Sequence, residues 1–409
     1  MNDIKNTYNF NNFNGYFRNK KILITGHTGF KGSWLSIWLL RLGAEVAGYA
    51  LDPYTPDDNF VLARLSEKMT DIRWDIRDFN KLNSAVNNFK PEIIFHLAAQ
   101  PLVRESYKIP LETIETNVTG TANVLEAFRL SESAKILIVI TSDKCYDNKE
   151  QLSGYKETDP MGGYDPYSAS KGAAELISSA YLKSFFNPEN FNGNSISRGK
   201  AMATVRAGNV IGGGDWAKDR LIPDCVRAIE KDNPVEVRNP NSIRPWQHVL
   251  EPLSGYLFLA SKILDNPKIY SGAWNFGPFQ DSTATVREVV EKAIKYYGRG
   301  EWKDVSGRNE AWGTDAGGSG ESCVEEGAES GKDGSKSGES EMKSHAKSAL
   351  HEAKLLSLNI DKAVIVLGWK PRLSIDEAVK LTVDYYKRCH DEDVYELCNK
   401  QIEMYEEKM

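Results

Sequence analysis

From Lys21 onward, short apolar runs alternate with longer apolar or amphipathic stretches: "KILIT", "FKGSWLSIWLLRLG", "EVAGYAL", and further on "PEIIFHLA", "LETIETNVTGTANVLEAF" and "AKILIVIT". The short runs are apolar throughout rather than at every second position, which predicts strands buried on both faces. The stretches between them are long enough for helices. Strands alternating with helices predict an α/β fold, a Rossmann-like doubly wound parallel sheet covered on both faces. Beyond about residue 200 the periodicity is less regular: "AMATVRAGNV" predicts a strand and "LIPDCVRAIEKD" a helix, read here as a smaller C-terminal α/β lobe.

Between Val305 and Ala349 the chain turns to "GTDAGGSGESCVEEGAESGKDGSKSGES" and neighbouring polar sequence, almost without apolar residues. Such a segment cannot bury enough surface to offset its ordering entropy, which predicts a disordered insertion. Apolar order resumes at "HEAKLLSLNIDKAVIVLGWKPRLSIDEAVKLTVDYY", and Asp391 to Met409 predicts a helix on the surface.

Composition narrows the function. The chain has 409 residues, 41% of them hydrophobic, enough for a sizeable core and two lobes. A net charge of -6 without a basic block excludes the footprint of a nucleic-acid binder and favours small-molecule work. Cys145, Cys225, Cys323, Cys389 and Cys398 form no CxxC pair, and their odd number opposes a disulfide framework, which fits a reducing cytoplasm. Residues 1–20 are rich in Asn and read as a tail without the apolar core of a signal peptide; no later run reaches membrane-spanning length. The six His lack HxxxH or HExxH spacing, so no metal site is expected.

Candidate chemistry gathers at strand ends, where doubly wound folds bind ligands. The first strand runs into "TGHTGFKG", in which Gly26, Gly29 and Gly32 let a diphosphate approach the start of a helix, with Thr28 and Phe30 in the same loop. Asp52 follows the second strand, where it either takes the ribose hydroxyls of a dinucleotide or is an ordinary loop acid ahead of Pro53. Asp75 and Ile76 in "RWDIRD" end the third strand beside the adenine position, and Leu97, Ala98 and Ala99 end the fourth. The fifth ends on Ser142, Asp143 and Lys144: a hydroxyl, a carboxyl and an amine side by side. In "YSASK", Tyr167 and Lys171 are four apart and share one helix face. An adjacent ammonium and a cationic nicotinamide ring would favour the phenolate of Tyr167, and Lys171 can hold the nicotinamide ribose.

These residues, together with Asn117 in "TNVTGTANVLEA", resemble the extended short-chain dehydrogenase/reductase family over nearly all of 21–300 and again from about His351. "TSDKCY", "RAGNVIGGGDWAKDRLIPD" and "RPWQHVLEP" resemble the branch that dehydrates cytidine-diphosphate hexoses. The resemblance implies NAD as cofactor, CDP-glucose as substrate, and a homodimer or homotetramer paired through helices near Leu111 to Leu130 and Tyr164 to Phe186. It implies an NAD-binding domain over 21–200 and a mainly substrate-binding lobe over 201–409, carrying the 305–349 insertion. Tyr167 would take the C4 hydroxyl proton, Ser142 would hold that oxygen, and Asp143 would protonate the departing C6 hydroxyl. Related dehydratases carry Glu where this chain has Lys144, which either takes the C5 proton as a neutral amine or only orients the sugar. Asn209, Arg220 and Arg244 would grip the nucleotide diphosphate. His351 and Glu352 either close over the nucleotide or are structural. The absence of an arginine directly after Asp52 favours NAD over NADP. A nucleotide-sugar 4-epimerase, another nucleotide-hexose 4,6-dehydratase, or an NAD-binding regulator without turnover are the alternatives.

Overall fold

The computed structural model describes residues 12–151, 153–191, 199–279, 282–306 and 355–409. Seven parallel strands form the central sheet: β1 (Lys21–Thr25), β2 (Glu45–Ala50), β3 (Thr70–Arg73), β4 (Ile93–His96), β5 (Ile136–Ile140), β6 (Ala201–Arg206) and Gly272–Asn275. Across the sheet the order is β3, β2, β1, β4, β5, β6 and then Gly272–Asn275. The order reverses between β1 and β4, so a crevice opens at their carboxyl ends, as this topology requires of a ligand site.

The unbroken apolar strands are explained by two cores. Ile136, Ile138 and Ile140 of β5 enter one cluster, and Leu137 and Val139 enter the other on the opposite face. Successive side chains point to opposite faces, so a sheet covered on both sides needs an apolar residue at each position.

Three expectations change. The sheet does not stop at residue 200: β6 begins at Ala201 and pairs with β5, and Gly272–Asn275 pairs with β6. Residues 201–409 therefore contribute to the central sheet as well as to the second lobe. The 1–20 segment is not all tail, because Phe13 and Phe17 are buried in the core, with Phe13 packed edge-on to Trp38 and Phe258. The C-terminal helix, Val394–Glu406, is not a surface appendage. Leu397, Cys398, Ile402 and Tyr405 are buried, and Trp38 donates its indole N–H to Glu406 Oε1 at 2.8 Å. The expected insertion lies outside the described residues except for Val305 and Ser306, as do His351 and Glu352. Among the described residues, no helix is long and apolar enough to cross a membrane.

Candidate active site

Local sequence sets the glycine loop. Gly26 has φ 76°, and a Cβ there would stand 2.7 Å from Ala98 N; a Cβ on Gly32 would reach 2.1 Å from Gly26 O. Only glycine allows both the left-handed turn and the tight closure of β1 onto helix α1, Phe30–Arg41. No side chain caps α1, and a Cβ at its N-cap Gly29 would meet only Gly26 O, at 3.4 Å. The uncapped helix start faces the crevice, which fits the diphosphate of a dinucleotide. Around it, Thr28 donates its hydroxyl to Leu51 O at 3.0 Å, tying the loop to the end of β2. Leu97 N donates to Thr25 O at 3.0 Å and Ala98 N to Thr25 Oγ1 at 3.2 Å, fixing the end of β4 before Ala99.

Asp52 is 87% exposed, two residues beyond the end of β2. The sequence gives no adjacent arginine, but Arg73 at the end of β3 reaches it, Nη1 to Oδ1 at 3.2 Å, while also gripping Asp71. Asp75 is held by Arg77, whose backbone N–H and guanidinium both donate to it, and these bonds lower its carboxyl pKa. Ile76 packs into the space that a side chain on Gly120 would fill. Asn117 is buried, with its amide used inside the protein: Oδ1 accepts from Gln100 N at 2.8 Å and Nδ2 donates to Ser170 Oγ at 2.8 Å. It sets the position of the loop after β4 against the helix Pro166–Phe185.

That helix begins at a strong stop. Asp165 caps it by accepting from Ser168 N at 2.9 Å, and Pro166 takes the first position. Tyr167 and Lys171 follow one turn apart, both buried. At the end of β5 Ser142 donates its hydroxyl to Asp143 Oδ1 at 3.0 Å and accepts from Lys144 N at 3.2 Å, near enough to the Tyr167 phenol to act on it. Burial pushes the Tyr167 phenol up to about 12, with Ser142 and Arg220 opposing the rise. The expected favouring of the phenolate by Lys171 is therefore outweighed in the free protein by the cost of burying a phenolate. Lys171 itself is lowered to about 8 by burial, against the pull of Cys145 and Glu175.

Gly208 makes room for the carboxyl, since a Cβ there would stand 1.9 Å from Asp143 Oδ2. Its neighbour Asn209 has φ 46°, a left-handed conformation that Asn tolerates. Arg220 is paired to the buried Asp215, Nη1 to Oδ2 at 2.9 Å, close enough to influence Tyr167. Arg244 lies further out, on the short strand Ile243–Arg244 that pairs with Ala284–Thr285. Among the described residues no group of three His, Cys, Asp or Glu could hold a metal ion. Gly208 and Arg73 were not singled out by sequence, because each acts through a partner distant in the chain.

Residues 23–382 match the family model described as GDP-mannose 4,6 dehydratase. The chain belongs to the GDP-mannose 4,6 dehydratase family. Among curated proteins similar to this GDP-mannose 4,6 dehydratase family member is a CDP-glucose 4,6-dehydratase of Salmonella typhimurium, 46% identical, covering 94% of this chain and 96% of the relative. A CDP-paratose 2-epimerase of Salmonella typhi is 28% identical, covering 63% and 78%. Solved structures share the fold: a dTDP-glucose 4,6-dehydratase from Bacillus anthracis in complex with NAD has a TM-score of 0.66 at 19% identity, covering 93% of this chain and 99% of that one. A UDP-glucose 4-epimerase from Thermotoga maritima with UDP-glucose also scores 0.66, at 18% identity, covering 91% and 100%.

Proposed function

We propose that the chain converts CDP-glucose to CDP-4-keto-6-deoxyglucose with NAD as its cofactor, a reaction that serves deoxysugar synthesis. The observation that carries this reading is the end of β5, where the Ser142 hydroxyl bonds the buried Asp143 carboxyl at 3.0 Å and acts, with Asp143, on the buried Tyr167 phenol. Oxidation at C4 needs the phenol and hydroxyl; loss of water across C5 and C6 also needs an acid beside them. The 46% identity to a CDP-glucose 4,6-dehydratase supports this substrate.

The α1 start, Asp52, Asp75 and Lys171 hold NAD, which when bound accepts a hydride from C4 and returns it at C6. Ser142 orients the C4 hydroxyl, and Tyr167 removes its proton as the ketone forms. The ketone acidifies the C5 proton, which Lys144 takes. Asp143 gives a proton to the C6 hydroxyl as water departs. Lys144 returns its proton to C5 as C6 receives the hydride, and the proton that Tyr167 took from the C4 oxygen replaces the one Asp143 gave to the departing water, so the sum is the loss of one water and each side chain ends as it began. Asn209, Arg220 and Arg244 hold the nucleotide diphosphate.

In this reading the assembly is a homodimer or homotetramer paired through the helices near Leu111 to Leu130 and Tyr164 to Phe186, and the exposure of Leu111, Ile114 and Leu176 supports it. The four described cysteines are free thiols, the state of a reducing cytoplasm.

The test is turnover of CDP-, dTDP-, UDP- and GDP-hexoses side by side, followed by the mass loss of one water. Dehydration confined to CDP-glucose is expected. Epimerisation, or dehydration of a different nucleotide sugar, would overturn the substrate.

A further inference from the structure

The Asp143 carboxyl rests on the main chain of Gly208, so closely that a Cβ there would stand 1.9 Å from Oδ2. A glycine has no side chain to fix its own place and is the freest of residues in its backbone. Gly208 also lies two residues beyond the end of β6 at Arg206, past the last ladder bond, from Phe276 N to Arg206 O at 2.8 Å. Asn209 after it is already left-handed. The sheet therefore does not hold the stretch on which the carboxyl sits.

Gln247 does. Its side chain, 3% exposed, donates from Nε2 to Gly208 O at 3.1 Å and to Phe276 O at 3.1 Å. These are carbonyls just past the ends of two neighbouring strands, β6 and Gly272–Asn275. Its main-chain N–H donates to Asn209 O at 3.2 Å, within the short parallel pairing of Gln247–His248 with Val210–Ile211. One residue thus binds the carbonyls of both Gly208 and Asn209. The amide is turned to aim both of its N–H groups at carbonyls even though Oε1 is left buried without a hydrogen-bond partner among the described residues. The reverse orientation would set an oxygen against two carbonyl oxygens, so the demand for two donors decides it.

We infer that Gln247 is a positioning residue for the loss of water: its buried amide holds the Gly208 main chain that seats the Asp143 carboxyl. This rests on the reading of Asp143 as the acid in the proposed reaction. Gln247 acts through Gly208 on one step. Oxidation at C4 depends on Ser142 at the end of β5 and on Tyr167 and Lys171 of the helix Pro166–Phe185, none of which Gln247 holds.

The experiment is a single turnover of CDP-glucose by the NAD-loaded full chain and by Gln247→Met, which keeps the length of the side chain and removes both donors. NADH absorbance follows C4 oxidation, mass loss follows water, and thermal melting is the folding control. Water loss should slow about tenfold or more while the rise of NADH stays within about threefold of wild type, so that reduced cofactor accumulates. If the methionine variant does not fold, Gln247→Asn, with two donors on a stem one carbon shorter, is read for the same selective loss. Equal slowing of both steps, a lower melting temperature with both rates kept, or no change at all would overturn the inference. A wild-type chain that does not dehydrate CDP-glucose would overturn the proposed reaction instead, which separates the two failures.

Discussion

Glu175 and Arg206 form a two-point ion pair beneath the candidate site: Arg206 Nε donates to Oε1 at 2.9 Å and Nη2 to Oε2 at 2.8 Å, with both side chains 4% exposed. Thr141, next to Ser142, donates its hydroxyl to the same carboxylate, and Thr204 of β6 donates at 2.8 Å. Arg206 also donates to Tyr146, whose hydroxyl bonds Asn275. The pair thus connects the end of β5, the helix bearing Tyr167 and Lys171, and the last strands of the sheet. Removing one partner would strand a buried charge. Glu175→Gln and Arg206→Met should each lose about 3–5 kcal/mol in urea unfolding. The double variant Glu175→Gln/Arg206→Met should lose less than the two singles added together; full additivity would show that the pair is not coupled.

Gly208→Ala tests the space given to Asp143. A methyl 1.9 Å from Oδ2 must displace the carboxyl, so kcat should fall about 100-fold while melting changes little. Wild-type turnover in this variant would remove Asp143 from the mechanism as drawn. Asp143→Asn should leave NAD reduction on mixing with CDP-glucose but stop water loss.

Lys171 carries a stability signature with a definite sign. Its pKa falls from 10.5 to about 8 on folding, so the charged form is disfavoured in the native state. Below pH 8 both states carry the proton and the cost is full. Between pH 8 and 10.5 the unfolded chain keeps more protons, and native stability rises with pH. Lys171→Met should therefore be more stable than wild type by up to about 3 kcal/mol at neutral pH, and the gap should close toward pH 10.5. A gap that does not change with pH would refute the lowered pKa. The variant should lose turnover.

Arg73 alters the expected basis of cofactor choice. It sits 3.2 Å from Asp52 and can serve a 2′-phosphate once that carboxylate is gone. Asp52→Ser should weaken NAD and improve NADP binding, shifting the ratio about tenfold or more toward NADP by fluorescence titration. An unchanged ratio would place ribose recognition elsewhere.

The glycine loop, the strand end at Ser142 and the Tyr167/Lys171 spacing were legible in the chain because each depends on backbone geometry over a few residues. Left-handed turns call for glycine, and a four-residue step on a helix sets a common face. The unbroken apolar strands likewise announced a sheet covered on both sides. Other features depend on which segments become neighbours. Gly208 lies against Asp143, and Arg73 beside Asp52, although nothing local to either of them marks the encounter. The C-terminal helix is amphipathic in sequence, but only its packing on Trp38 and Glu251, through Tyr405, makes it part of the core. Periodicity reports one segment's own faces. Burial, charge balance and free space near a reacting group arise between segments, and the folded sheet decides them.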